Sequence, residues 1–94
     1  MADDRQAVRV QITGRVQGVN FRGWTRVEAA RLGLDGWVRN EADGSVRAML
    51  AGPRAKLEDM IARLHSGPSA ARVTKVVVEA ADAEGVAVGF AILH

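Results

Sequence analysis

The chain has 94 residues, 13 of them Lys or Arg and 11 Asp or Glu, and it contains no cysteine. The length suits one compact domain over residues 1–94 with a single hydrophobic core, and the missing cysteine excludes disulfides, thiolate nucleophiles and cysteine-bound zinc. The net charge of +2 is mild, its 11 arginines are scattered, and no apolar run reaches the length of a membrane span, so the expectation is a soluble cytoplasmic protein with neither a membrane nor a nucleic-acid partner.

Residues 1–6 are polar and read as a flexible lead-in. From there Val8, Val10 and Ile12 alternate with Arg9, Gln11 and Thr13, the period of a half-buried strand. The strand delivers the chain into Gly14-Arg15-Val16-Gln17-Gly18-Val19-Asn20-Phe21-Arg22. Two glycines ahead of a helix can turn successive N–H groups inward as an anion-binding nest. Arg22 adds a planar charged fork that suits phosphate or carboxylate. The same pattern also serves as a plain strand-to-helix turn with a solvated arginine, the commoner use of paired glycines. No Gly-Lys-Ser/Thr follows, so it is not a Walker loop.

Residues 21–32 read as a helix with Phe21, Thr25, Ala29 and Leu32 on one stripe, Trp24 at its edge and Gly33 as C-cap; Glu28 falls within the stripe and fits it poorly. Residues 36–40 form a short strand, 41–44 (Glu-Ala-Asp-Gly) a hairpin turn, and 45–51 the returning strand, with Val46, Ala48 and Leu50 on one face. After the break at Gly52-Pro53, residues 54–66 form a second helix with Leu57, Met60, Ile61 and Leu64 on one side. Gly67-Pro68 ends it. Residues 72–81 are a β-branched strand, 82–85 a turn, and 86–93 a last strand with Val88, Phe90 and Ile92 on one face. The order β-α-β-β-α-β-β points to an α+β, ferredoxin-like split βαβ sandwich, an antiparallel sheet with two helices packed on one face.

Other polar and aromatic residues have structural readings. Asn40, just ahead of an Asp-Gly turn, fits a turn residue, and Trp24 and Trp37 fit packing roles. His65 and His94 have no partner at catalytic or metal spacing, and no metal site is expected.

The stretch from Ile12 to Arg22 resembles the first signature of the acylphosphatases. Gly36-Trp37-Val38-Arg39-Asn40, followed by Gly44, Val46 and Gly52, resembles the second. Leu32-Gly33-Leu34 and Gly67-Pro68 agree as well, so the likeness spans nearly the whole chain. It implies hydrolysis of an acyl phosphate to a carboxylate and inorganic phosphate, by a monomer, without metal, cofactor or covalent phosphoenzyme. On that pattern Arg22 matches the phosphate-binding arginine and Asn40 the water-holding asparagine. The backbone N–H groups of Arg15, Val16, Gln17, Gly18, Val19 and Asn20 match the phosphate cradle. Two positions depart: Asn20 stands where the family is permissive, and Arg47 where many members carry an acidic residue.

The chemistry is consistent with these residue types. A carboxylate departs without a proton, so no general acid is required, and a loose phosphoryl transition state asks mainly for positioning and charge stabilisation. The alternatives are a non-catalytic ferredoxin-like module that binds RNA or protein, or a domain of a larger carbamoyl-transfer maturation factor. The strands at 8–12 and 46–51 lack the aromatics on which RNA-binding sheets stack bases.

Overall fold

The computed structural model describes residues 5–94. Its elements are β1 (Arg5–Arg15), α1 (Phe21–Arg31), β2 (Asp35–Asn40), β3 (Val46–Pro53), α2 (Arg54–Leu64), β4 (Arg72–Ala81) and β5 (Phe90–Leu93). Residues 1–4 of the expected flexible lead-in lie outside the described residues; Arg5 and Gln6, placed in the same lead-in, belong to β1.

The five strands form one sheet in the order β4-β1-β3-β2-β5. Both helices pack on one face, α1 over β2 and β5 and α2 over β3 and β1. Alternation does the sorting: Val10 and Ile12 of β1, Val38 of β2 and Val46, Ala48 and Leu50 of β3 are all buried, with Phe21, Ala29, Leu57, Met60 and Leu64 from the helices. Each of the larger of these side chains, the alanines apart, contributes roughly 1.5–3 kcal/mol of burial. Phe21 meets Trp24 at 5.5 Å between ring centroids, tilted by 59°. Buried Thr25 donates from Oγ1 to the Phe21 carbonyl at 2.8 Å, so the hydroxyl in the helix stripe is satisfied.

Glu28, which fits the apolar stripe poorly as a sequence, is half-buried for a different reason. Its carboxylate, 13% exposed, accepts from Arg63 of α2 and Arg31 of α1. It therefore ties the two helices together by charge, while the residues beside it tie them to the sheet.

Two expectations are corrected at the end of the chain. The sheet is mixed, because β5 pairs parallel to β2, with Gly36 opposite Phe90 and Arg39 opposite Leu93. And β5 begins at Phe90, not at residue 86. The cause is topological: β4 and β5 lie at opposite edges, so residues 82–89 are spent crossing the end of the sheet. Val88, expected on a strand face, is 92% exposed on that crossing. The crossing is pinned at the sheet end by the Arg5–Asp35 ion pair at 3.0 Å. Arg5 also donates to the carbonyls of Ala83 and Val86, each at 3.0 Å, and Asp35 accepts from the Gly89 N–H at 2.8 Å.

Replacing Asp35 with Ala is expected to cost about 1–3 kcal/mol by leaving a half-buried guanidinium and an amide short of partners. Urea denaturation gives the loss, and amide exchange over residues 86–93 should accelerate more than exchange over β1 and β3.

Candidate active site

Parallel pairing carries β5 toward the same sheet edge at which β1 and β2 end, and α1 begins there too. That edge gathers the loop at residues 16–20, Arg22 in the first turn of α1, Asn40 as the last residue of β2, and the end of the chain. Val16, Gln17, Gly18, Asn20, Arg22 and Asn40 open on one cavity of about 210 Å³, with Ile92 and His94 also on its wall. Two segments separated by a helix and a strand in sequence are thus brought together. Of the loop residues expected there, Arg15 and Val19 do not line the cavity: Arg15 closes β1 opposite Arg72, and the Val19 side chain packs on the core.

The loop has an unusual backbone. Gly18 has φ 77° and Asn20 φ 62°, both left-handed, and Asn20 is the only non-glycine residue with positive φ among the described residues. Asparagine tolerates this region better than most side chains. Among the described residues, no N–H from Val16 to Asn20 makes a well-formed hydrogen bond to a protein acceptor, which leaves a run of donors beside the cavity at the N-terminus of α1. Gly14 has a different task from the one suggested by its place in the motif. It lies within β1, at an irregularity in the pairing with β4, and a Cβ there would run into the Arg72 carbonyl.

Arg22 is half-buried and pairs with no carboxylate among the described residues. Its Nη1 donates to the Leu93 carbonyl at 3.4 Å and meets the His94 Nδ1 at 3.4 Å, so β5 braces the guanidinium. His94 thus has a partner that its sequence position does not suggest. The Asn40 side chain is exposed to the cavity and makes no hydrogen bond within the described residues. No three His, Asp or Glu side chains among the described residues come together as a metal-ligand set.

A profile of the acylphosphatase family matches residues 8–92. The chain belongs to the acylphosphatase family. An acylphosphatase of Rhizobium etli is 55% identical over 92 residues, which cover 98% of each chain. Among solved structures, an acylphosphatase from Coxiella burnetii superposes with a TM-score of 0.90 at 32% identity, covering 96% of this chain and 94% of that one. One from Bacillus subtilis gives 0.90 at 33% identity, covering 95% and 99%. The protein is an enzyme that hydrolyses acyl phosphates, so the non-catalytic binding module gives way as a reading of the chain. No helix among the described residues is long and apolar enough to cross a membrane.

One feature of this acylphosphatase site is invisible in the motif. The Gln17 carboxamide donates from Nε2 to the Glu41 carbonyl at 2.8 Å and to the Ser45 carbonyl at 2.9 Å. Both acceptors lie on the β2–β3 hairpin, and Glu41 directly follows Asn40. A single side chain thereby fixes the loop against the residue across the cavity. The hairpin is stiffened in turn by Asp43, which accepts from the Ser45 hydroxyl at 2.6 Å and the Ser45 N–H at 2.9 Å, and by Gln11, which donates to the Ser45 Oγ at 3.2 Å. The Ser45 hydroxyl, then its N–H, and more weakly the charge of Arg47 hold the Asp43 carboxyl below its ordinary value. A lowered carboxyl stabilises the folded hairpin above the ordinary carboxylate pKa, and the contribution is lost as pH falls through the lowered value.

Gln17→Met keeps the bulk and removes both donors. The expected result is a loss of about 1–2 kcal/mol in stability, with turnover falling about tenfold as the loop and Asn40 lose their common frame. Thermal melting and steady-state kinetics on one preparation separate the two effects, since a purely structural role would leave the folded fraction with normal turnover.

Proposed function

We propose that the enzyme hydrolyses its acyl phosphate by direct attack of a water held by Asn40, while Arg22 and the N–H groups of residues 16–20 hold the phosphoryl group. The observation that carries this reading is that an unpaired donor loop, a guanidinium without a carboxylate and an unpartnered carboxamide all meet at one cavity. The water oxygen forms a bond to phosphorus. The bond from phosphorus to the acyl oxygen breaks with its electron pair going to the carboxylate, and the water proton passes to a phosphate oxygen. Asn40 orients the water through an amide that both donates and accepts, but it cannot take a proton at neutral pH. No general acid is asked for, because the leaving carboxylate is stable unprotonated. The donors are fixed before the reaction, so they stabilise the equatorial oxygens without reorganising. The same reading has the enzyme acting as a monomer in the cytoplasm, with neither metal nor cofactor.

Hydrolysis of benzoyl phosphate should persist undiminished in excess chelator. Asn40→Ala should lose on the order of a hundredfold in turnover while competitive inhibition by inorganic phosphate stays near normal; near-normal turnover would remove the role given to Asn40. Arg22→Lys should lose phosphate affinity as well as turnover, because a point charge does not replace a planar fork. Isothermal titration with phosphate measures that loss directly.

A further inference from the structure

The cavity continues in one direction. Asn20 and Gly23 line both it and a second, larger groove of about 660 Å³, which runs along the exposed side of α1 past Arg26, Val27 and Ala30. Asn40 has no part in that groove. In-line displacement places the departing oxygen opposite the attacking water. With the water at Asn40, the acyl group therefore leaves phosphorus on the side away from Asn40, and the groove adjoins the cavity at Asn20 and Gly23, which line both and are not the Asn40 wall.

Asn20 and Gly23 form the boundary between the two spaces. Asn20 caps α1 in its left-handed conformation without a side-chain capping bond. A Cβ at Gly23 would collide with the Asn20 Oδ1, so the glycine leaves room for that carboxamide to lie against the first turn of the helix. Beyond it the lining is mainly hydrocarbon, from Gly23, Ala30, the stems of Arg26 and Arg31, and Val27, which is 49% exposed, with the two guanidinium groups at its margin. From Gly23 to Ala30 the helix rises roughly 10 Å, enough for an aromatic ring or a six-carbon chain.

We propose that this groove is the acyl-side subsite, which takes the apolar acyl group of an acyl phosphate larger than acetyl phosphate, with Asn20 at its mouth and Val27 as the contact that selects for it. The inference rests on the placement of phosphate at the 16–20 loop and of water at Asn40. An acyl group lying there covers the Val27 side chain, and removing that apolar contact weakens larger substrates selectively. Acetyl phosphate is too short to reach it.

The test compares kcat/KM for benzoyl phosphate and acetyl phosphate, with inorganic phosphate as competitive inhibitor, in wild type, Val27→Gln and Val27→Leu. Val27 is an exposed helix position, so both variants fold. Comparing the benzoyl-to-acetyl ratio among variants cancels the intrinsic reactivity of the two substrates. The expected result is a ratio that falls about threefold to fivefold in Val27→Gln and is held or raised in Val27→Leu, with the phosphate inhibition constant equal in all three proteins. A ratio unmoved by either substitution overturns the subsite while leaving the phosphate seat intact. Failure of inorganic phosphate to compete in the wild type overturns the seat, and the subsite with it.

Discussion

The geometry of the site follows from one constraint, the antiparallel packing of β3 between β1 and β2. Two strands that each run antiparallel to a shared neighbour run parallel to one another, so β1 and β2 end at the same edge of the sheet. They end there two inter-strand spacings apart, roughly 10 Å. That gap is the width of the cavity: the loop leaving β1 forms one bank and Asn40 at the end of β2 the other. On the proposed reading the phosphoryl group and the attacking water sit between these banks, a separation that adjacent strands, at about 5 Å, would not give. Because β5 is parallel to β2 at the outer edge, it runs the same way and braces Arg22 from behind.

A gap of this kind needs its two banks held at a constant separation, and side chains with both ends occupied supply this. Gln17 reaches across and donates twice to the hairpin. At the opposite end of the sheet, Arg5 and Asp35 hold the crossing that delivers β5. Gln17 and Arg22 bond to the protein at the cavity itself, whereas the Asn40 carboxamide and the N–H groups of residues 16–20 make no hydrogen bond to the protein among the described residues. Polar groups divide into those consumed by the frame and those left open to the cavity, and the two kinds stand side by side on its wall.

Much of this was legible from sequence because it is local. The alternation of Val8, Val10 and Ile12, the stripe of Leu57, Met60 and Leu64, and the Asp43-Gly44 turn each report a structure through neighbours a few residues away, and each element formed where its period placed it. The resemblance of the Gly14–Arg22 and Gly36–Asn40 stretches brought two distant segments together before any coordinates did. What stayed hidden was non-local. Val88, Phe90 and Ile92 alternate whether or not residue 88 is paired, and only the sheet order shows that residues 82–89 are needed to cross from one edge to the other. Glu28 looked misplaced because its partner Arg63 lies 35 positions away on α2. Gly14 looked like half of a nest, yet its lack of a Cβ serves close approach to β4. The motif points to the Gln17 backbone alone, since nothing in a loop sequence says where a side chain lands.

The cavity has an unusual distribution of chemical labour for a hydrolase. The groups expected to touch phosphate are backbone N–H donors, a guanidinium and a carboxamide, none of which changes protonation near neutral pH. The adjustable quantity of such a site is direction, and direction in the loop is set by the left-handed residues Gly18 and Asn20. No atom lies within 4 Å of the place a Cβ would take at Gly18, so the glycine there answers to backbone conformation and not to crowding. At Gly14 and Gly36, by contrast, a side chain would strike the carbonyl of a neighbouring strand. Glycines of the two signatures therefore act at different levels: those in the strands permit the sheet to close, and the one in the loop permits a left-handed backbone beside the cavity.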